Sequence, residues 1–438
     1  MPITLQTGEL DVVGADLAVD LPGGRAVRFA HLDYAASAPC VRAAADAVGD
    51  LLPWYGSVHR GTGLRSQTST LEYERARDVL AEFLGARPGD EVIFTRNTTD
   101  ALNLLARALP AGTTTIVFDG EHHANLLPWP SPRRLPAPAD PDEAVAAVTA
   151  ALATVRGPAL LAITGASNVT GEIWPVRRLA DAAHAYGARV VVDAAQLAPH
   201  VPIDLAELGA DYLALSGHKL YAPFGAGVLA GRRDWLDAAE PYLRGGGASA
   251  AVGDEPADVV WTTGPARHEG GTPNLLGAVA LGAVCAALLR ADRAALYEHE
   301  QSLLAGLDGV TLFGGRVPRV GIVSFAVPEP AAVADRLSRD YGIGVRAGQF
   351  CAHPLVRRLT GGATGDCAST GLLRASFGLG TTAADIDRLV TALTELGFRS
   401  SQPKADGPGS TATLASAASS GGTAGQCVPR RGVARSTR

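Results

Sequence analysis

From about residue 90, short runs of apolar residues alternate with stretches in which apolar residues recur at helical spacing. Residues 91–95 (EVIFT), 114–119 (TTIVFD), 159–166 (ALLAITGA), 189–195 (RVVVDAA), 212–216 (YLALS) and 227–231 (GVLAG) read as strands. Residues 100–109 (DALNLLARAL) and 175–187 (PVRRLADAAHAYG) read as helices. Strands that are apolar on both faces and separated by helices predict an α/β fold with a mostly parallel sheet covered on both sides. After about residue 275 the texture changes. A long helical segment, LLGAVALGAVCAALLRADRAALYEHEQSLLAGL, precedes a strand at 320–327 (VGIVSFAV) and a strand running into a helix (LLRASFGLGTTAADIDRLVTAL). That pattern predicts a smaller α+β unit. The expected organisation is an N-terminal segment (1–30) packing on the small domain, a large domain (31–275), a small C-terminal domain (276–400) and a low-complexity tail (401–438) expected to be disordered.

Composition narrows the function classes. Hydrophobic residues make up 47% and charged residues 19% of 438 residues, with a net charge of -6. That balance suits a soluble globular enzyme, and without a basic stripe nucleic acid is not an expected partner. The first twenty residues carry no basic segment followed by an apolar run, and no apolar stretch reaches spanning length, so neither a secretory signal nor membrane contact is expected. Five widely spaced cysteines contain no CxxC, which argues against a metal site or disulfide framework and for a cytoplasmic, reducing setting.

Ligands of such a sheet gather at the carboxyl ends of its strands. Five successive strand ends carry polar groups: Arg96-Asn97-Thr98-Thr99, Glu121-His122-His123, Ser167-Asn168, Asp193-Ala194-Ala195-Gln196 and Ser216-Gly217-His218-Lys219. There is no GxGxxG and no GxxxxGK[ST], so nucleotide-binding signatures are missing. Among 38 lysines and arginines only Lys219 and Lys404 are lysine, and Lys404 lies in the tail. Arginine serves on a solvated surface but stays charged where an amine must lose its proton and attack a carbonyl. A lone lysine at a strand end points to Schiff-base chemistry, and the cofactor that joins such a lysine to a carboxylate is pyridoxal 5'-phosphate. Asp193 is the candidate partner for its ring nitrogen. Thr98 and Thr99 at a helix start, with Ser216 and His218, are candidates for its phosphate. His122 or His123 can stack on a flat ring, and Asn168 and Gln196 can hydrogen-bond its phenolate oxygen. Taken alone, Thr98-Thr99 is an ordinary helix cap and a histidine is usually a satisfied surface or core residue; the set is what points to chemistry.

LDYAASAP (32–39), VHRG (58–61), RNTTDALNLLA (96–106), EHHANLLPW (121–129), SNVTGE (167–172), VDAAQLAPH (192–200), SGHKLYAPFGAGVL (216–229), GGTPN (270–274), VRAGQFCAHPL (345–355) and LRASFGLGTT (373–382) together resemble class V aminotransferase-fold enzymes. The nearest group is the SufS-like cysteine desulfurases and selenocysteine lyases. The resemblance implies the fold type I architecture of pyridoxal-phosphate-dependent transferases, with Lys219 as the Schiff-base lysine, Asp193 on the pyridine nitrogen and His122 stacked on the ring. It further implies that Thr99, Ser216 and His218 hold the phosphate and that Thr272 reaches the phosphate of a neighbouring subunit in a homodimer. Arg374 would bind the carboxylate of an amino-acid substrate, helped by Arg346 and Asn168. Cys351 would take the substrate sulfur and pass it to a sulfur-acceptor protein. The alternative within the same family is a transamination, C–S lysis or epimerisation that does not use Cys351. The Gly-rich stretch LTGGATGDCASTG (359–371), with Cys367, reads as an insertion serving as a lid or docking element.

Overall fold

A computed structural model describes residues 8–398 apart from 256, 308, 316 and 362–370. The tail and most of the Gly-rich stretch with Cys367, for which disorder and a lid role are expected, lie outside the described residues. The six strands predicted between residues 91 and 231 lie in one seven-stranded sheet, whose remaining member, an edge strand at Pro132–Leu135, was not predicted. Its members are β1 (Asp90–Thr95), β2 (Thr114–Phe118), β3 (Pro132–Leu135), β4 (Ala159–Thr164), β5 (Arg189–Asp193), β6 (Tyr212–Ser216) and β7 (Gly227–Arg232), in the order β1-β7-β6-β5-β4-β2-β3. All run parallel except β7, which pairs antiparallel with both β1 and β6.

The apolar runs explain why this sheet is buried on both faces. Successive side chains on a strand point to opposite sides. Val190 and Val192 of β5 join the core on one face, with Leu161 and Ile163 of β4. Val191 joins the opposite core, with Leu160 and Ala162. The helix α1 (Leu64–Phe83) lies outside this sheet, and α2 (Thr98–Ala108) follows β1 directly. Asn97 caps α2: its Oδ1 accepts from the Asp100 N–H at 3.0 Å, so the residues before and after it sit at a fixed helix start.

The long apolar segment after residue 275 is not one helix. It divides into α3 (Leu275–Arg290) and α4 (Arg293–Ala305), bent by 90°. Asp292 explains the break, because its side chain accepts from the Ala295 N–H at 2.9 Å and so starts a new helix in place of continuing the old one. Among the described residues no single helix is long and apolar enough to cross a membrane.

A second sheet holds β8 (Ile322–Phe325), β9 (Arg346–Gly348) and β10 (Leu372–Ser376), antiparallel in the order β8-β10-β9. It has its own core, built from Val323, Phe325, Leu373, Ala375 and the inward residues Ile386, Leu389 and Leu393 of the last helix. Residues Ala30–His31 pair in parallel with Ile343–Gly344 at its margin. The loop after β4 is pressed against this sheet. Gly171 there has φ 74°, and a Cβ on it would stand 2.3 Å from the Ile322 carbonyl oxygen, so only glycine fits the crossing. The carboxyl ends of the large sheet therefore face β9 and β10 across one cleft.

Candidate active site

Lys219 follows the end of β6 and lines a cavity of about 250 Å³. Thr98, Thr99, His122, Asn168, Asp193, Ser216, His218, Arg346, Cys351 and Arg374 line the same cavity. Eleven of the residues singled out in the sequence thus meet in one place, drawn from strand ends of the large sheet and from the second sheet. Gln196 and Thr272 are not among the lining residues. The Gln196 amide is buried and donates to the Ala35 carbonyl at 2.7 Å. Thr272 is exposed on a loop beside Gly271, whose carbonyl accepts from Arg60 at 2.7 Å. A larger cavity of about 340 Å³ contains Glu121 but not Lys219.

Burial governs the ionisation of this cluster. It pushes the Lys219 amine down to about 8 from its ordinary 10.5, against the opposing pull of Asp193. The Asp193 carboxyl is raised by burial, while Lys219 and a hydrogen bond from the Ala195 N–H (2.9 Å) hold it back. His122 is driven down to about 3 by burial and then by the Lys219 charge, so its ring is neutral; its Nδ1 accepts from the Ala124 N–H at 3.1 Å. Burial and Lys219 also lower His218 to about 4. A poorly solvated amine, a buried carboxylate and a neutral imidazole lining one cavity are a set in which small changes of charge are strongly felt.

Next to Lys219, hydroxyls meet a helix start. The Thr98 and Ser216 hydroxyls are 2.7 Å apart, and the Ser216 Oγ accepts from the Thr98 N–H at 2.8 Å. Thr99 stands exposed beside them at the first turn of α2. The positive end of the helix dipole and the hydroxyls together suit an anion.

The second sheet contributes two arginines. Arg346 and Arg374 lie directly opposite one another on β9 and β10. Like charges so placed repel, and the carboxylate of Asp33 lies between them. Arg374 Nη2 donates to Asp33 Oδ1 at 3.0 Å, while Arg346 Nη1 stands 3.6 Å from Asp33 Oδ2. Arg374 is 3% exposed and its Nη1 donates to the Asn168 carbonyl at 3.0 Å, yet its buried Nε has no partner. A buried guanidinium with a spare donor is suited to a carboxylate ligand. Asn168 also holds the cysteine loop, its Nδ2 donating to the Phe350 carbonyl at 2.8 Å. The Cys351 carbonyl accepts from the His123 N–H at 2.7 Å, and Cys351 itself is exposed to the cleft.

Three neighbours of the chemistry were not singled out as site residues in the sequence. Asp33 sits in LDYAASAP (32–39), where an acid after a short apolar run was a usable signal. Phe350 was visible only as an apolar residue beside Cys351. Glu121 is fully enclosed, its carboxyl pushed up to about 8 by burial, and it accepts from the Thr164 N–H (3.0 Å) and the Asn125 amide (2.9 Å), which ties the His122 loop to β4.

Known proteins share both sequence and architecture with this chain. A "Probable cysteine desulfurase" of Halalkalibacterium halodurans is 37% identical over 83% of this chain and 92% of its own length. A "Cysteine desulfurase" of Klebsiella pneumoniae is 36% identical over the same shares. The apo structure of a cysteine desulfurase from Thermococcus onnurineus superposes with a TM-score of 0.75 at 32% identity, covering 84% of this chain and 94% of the other. The cysteine desulfurase CsdA of Escherichia coli gives 0.72 at 32%, covering 85% and 96%. The class-V aminotransferase profile matches residues 30–389. With its cleft, its lysine–carboxylate pair and this match over most of its length, the chain belongs to the class-V aminotransferase family.

Proposed function

We propose that this protein is a pyridoxal-phosphate-dependent cysteine desulfurase that removes sulfur from L-cysteine, releasing L-alanine and leaving a persulfide on Cys351. The observation that carries the proposal is Cys351 held at the mouth of the Lys219 cavity by Asn168 and His123, within the same lining as Arg374. The cavity suits the cofactor by its donor set. Asp193 offers a buried carboxylate to a pyridinium nitrogen, the Thr98–Ser216–Thr99 group and His218 suit a phosphate, and His122 offers a neutral ring face. Bound there, pyridoxal phosphate supplies an electron sink for charge that develops at the substrate α-carbon.

The protein's own residues account for the rest. Lys219 is the only lysine of the described chain, and with its amine held near 8 an appreciable share is neutral at physiological pH, able to accept the α-proton. Arg374 takes the substrate α-carboxylate through its spare donor, and this fixes which end of the amino acid points toward Cys351. The Cys351 thiolate then forms an S–S bond with the substrate sulfur while the Cβ–S bond breaks and its electrons return to the carbon skeleton. That skeleton takes up protons and leaves as alanine. The terminal sulfur of the persulfide passes to a thiol of an acceptor protein, which restores Cys351. A reducing cytoplasm, which keeps the exposed thiol free, is the proposed setting.

The test is product analysis. Purified holoenzyme with L-cysteine is expected to release alanine, with sulfide appearing in equal amount only when a reducing thiol is supplied. Release of pyruvate and ammonia in place of alanine would contradict the proposal.

We also propose a homodimer in which Thr272 reaches the cofactor phosphate of the neighbouring subunit. Leu52, Trp54 and Tyr55 are exposed just before α1, and Leu64 and Leu71, seven residues apart on α1, are 66% and 63% exposed. Large apolar side chains left exposed in one region of the chain suit such an interface. The double substitution Trp54→Glu with Leu71→Glu is expected to shift the protein to monomer by analytical ultracentrifugation and to weaken cofactor retention at least about tenfold, which corresponds to about 1.4 kcal/mol.

A further inference from the structure

Phe350 and Cys351 are consecutive residues with φ of 50° and 53°. Left-handed backbone is uncommon for any residue with a side chain, and for a bulky aromatic it is an outlier. Strain of this kind persists only where the surroundings over-determine it, and it gathers at functional sites. Here both carbonyls of the strained pair are clamped, Phe350 by the Asn168 amide and Cys351 by the His123 N–H. The ring of Phe350 is not turned outward. Phe350 is 8% exposed and lines the Lys219 cavity, and the Arg374 guanidinium carbon lies 4.8 Å from its ring centroid. The contacts close a triangle. Arg374 donates to the Asn168 carbonyl, Asn168 donates to the Phe350 carbonyl, and the Arg374 guanidinium lies over the Phe350 ring.

We infer that Phe350 is the positioning residue for Arg374 and thereby sets the enzyme's recognition of an α-amino-acid carboxylate; the inference rests on the carboxylate-binding role proposed for Arg374. A guanidinium carries five N–H donors in the plane of the group. The guanidinium lies over the Phe350 ring, its Nη1 and Nη2 donate to Asn168 and Asp33, and these contacts together hold the unpartnered Nε in place for a carboxylate. Because Cys351 follows in the same turn, the residue that orients the carboxylate clamp also fixes the distance from that clamp to the thiol.

The test compares Phe350→Leu, which keeps apolar bulk but loses the ring face, with Phe350→Tyr, which keeps the face. Two readouts are used: steady-state kinetics with L-cysteine, and equilibrium dialysis of labelled L-alanine against holoenzyme, which needs no turnover. Phe350→Leu is expected to weaken L-alanine binding and raise the KM for L-cysteine about 3- to 30-fold, with the loss carried more by KM than by kcat. Phe350→Tyr is expected to restore both to within about threefold, the lower end of that range. A purely structural role in the apolar cluster with Val169, Ala352, Val356 and Leu372 would instead lower thermal stability in Phe350→Leu and leave alanine affinity unchanged. Unchanged affinity in Phe350→Leu, or a tyrosine variant as weak as the leucine one, overturns the inference. If cysteine yields no alanine with the native enzyme, the proposed activity fails, and the dialysis comparison still decides on Phe350.

Discussion

Replacing Lys219 by alanine or by arginine is expected to lower alanine formation from L-cysteine by at least about 10³-fold, within the range attributed to a positioned proton-transfer group. Arginine keeps the positive charge and much of the length, but guanidinium does not give up its proton at any working pH. A lysine requirement that arginine fails to meet therefore separates proton chemistry from charge alone. The fold is expected to survive, because the buried amine is a cost to the folded state. Its pKa is held near 8 against an ordinary 10.5. Below pH 8 both folded and unfolded chains carry the proton, and the cost is present in full. Between 8 and 10.5 the unfolded chain binds a proton that the folded chain has released, so the cost fades as pH rises. The melting temperature of the cofactor-free Lys219→Ala protein is thus expected to equal or exceed that of the native apoprotein at pH 7. The same depressed value governs capture of the cofactor. Only neutral Lys219 attacks a carbonyl, so the rate of reconstitution of apoprotein with pyridoxal phosphate, followed by absorbance, is expected to rise about tenfold per pH unit up to about 8 and level off above it. A rate independent of pH between 6 and 8 would show that a different group limits the capture.

Much of this site was legible because its parts are local. Each strand end carries its polar residues within a few positions of an apolar run, and the carboxyl-end rule then brings Thr98, His122, Asn168, Asp193 and Lys219 together without knowledge of the loops. The antiparallel direction of β7 was available too. Only ten residues separate Ser216 from Gly227, fewer than a parallel crossover needs. The edge strand Pro132–Leu135 was not legible, since PRRL is polar and exposed and only its neighbour β2 makes it a strand. Nor was the break between α3 and α4, where apolar periodicity runs on through a capping aspartate. The contacts that set the arginines were beyond local reading. Asp33 lies 341 positions from Arg374 in the chain, and nothing in the sequence around Phe350 announces a left-handed turn, since neither it nor Cys351 is a turn former.

Replacing Cys351 by serine is expected to lower alanine formation at least about 100-fold, while the absorbance of bound cofactor and the affinity for L-alanine stay near those of the native enzyme. Serine keeps the size of the side chain and its place in the strained turn, so the carbonyl contacts with Asn168 and His123 survive and Arg374 is undisturbed. What is lost is a soft nucleophile able to form an S–S bond. Among the described cysteines the environments are distinct: Cys285 is buried and its thiol pushed far up by burial, Cys40 is half-buried and also raised, and Cys351 alone is exposed. Brief treatment with iodoacetamide is therefore expected to modify Cys351 before Cys40 and Cys285 and to abolish alanine formation in parallel, as followed by mass spectrometry. The cavity chemistry of Lys219, Asp193 and His122 would serve any reaction of the family; only the thiol distinguishes sulfur extraction from transamination or elimination. A serine variant that still forms alanine at the native rate would keep the fold, the cofactor pocket and the carboxylate clamp as described, and would move the reaction to a group other than Cys351.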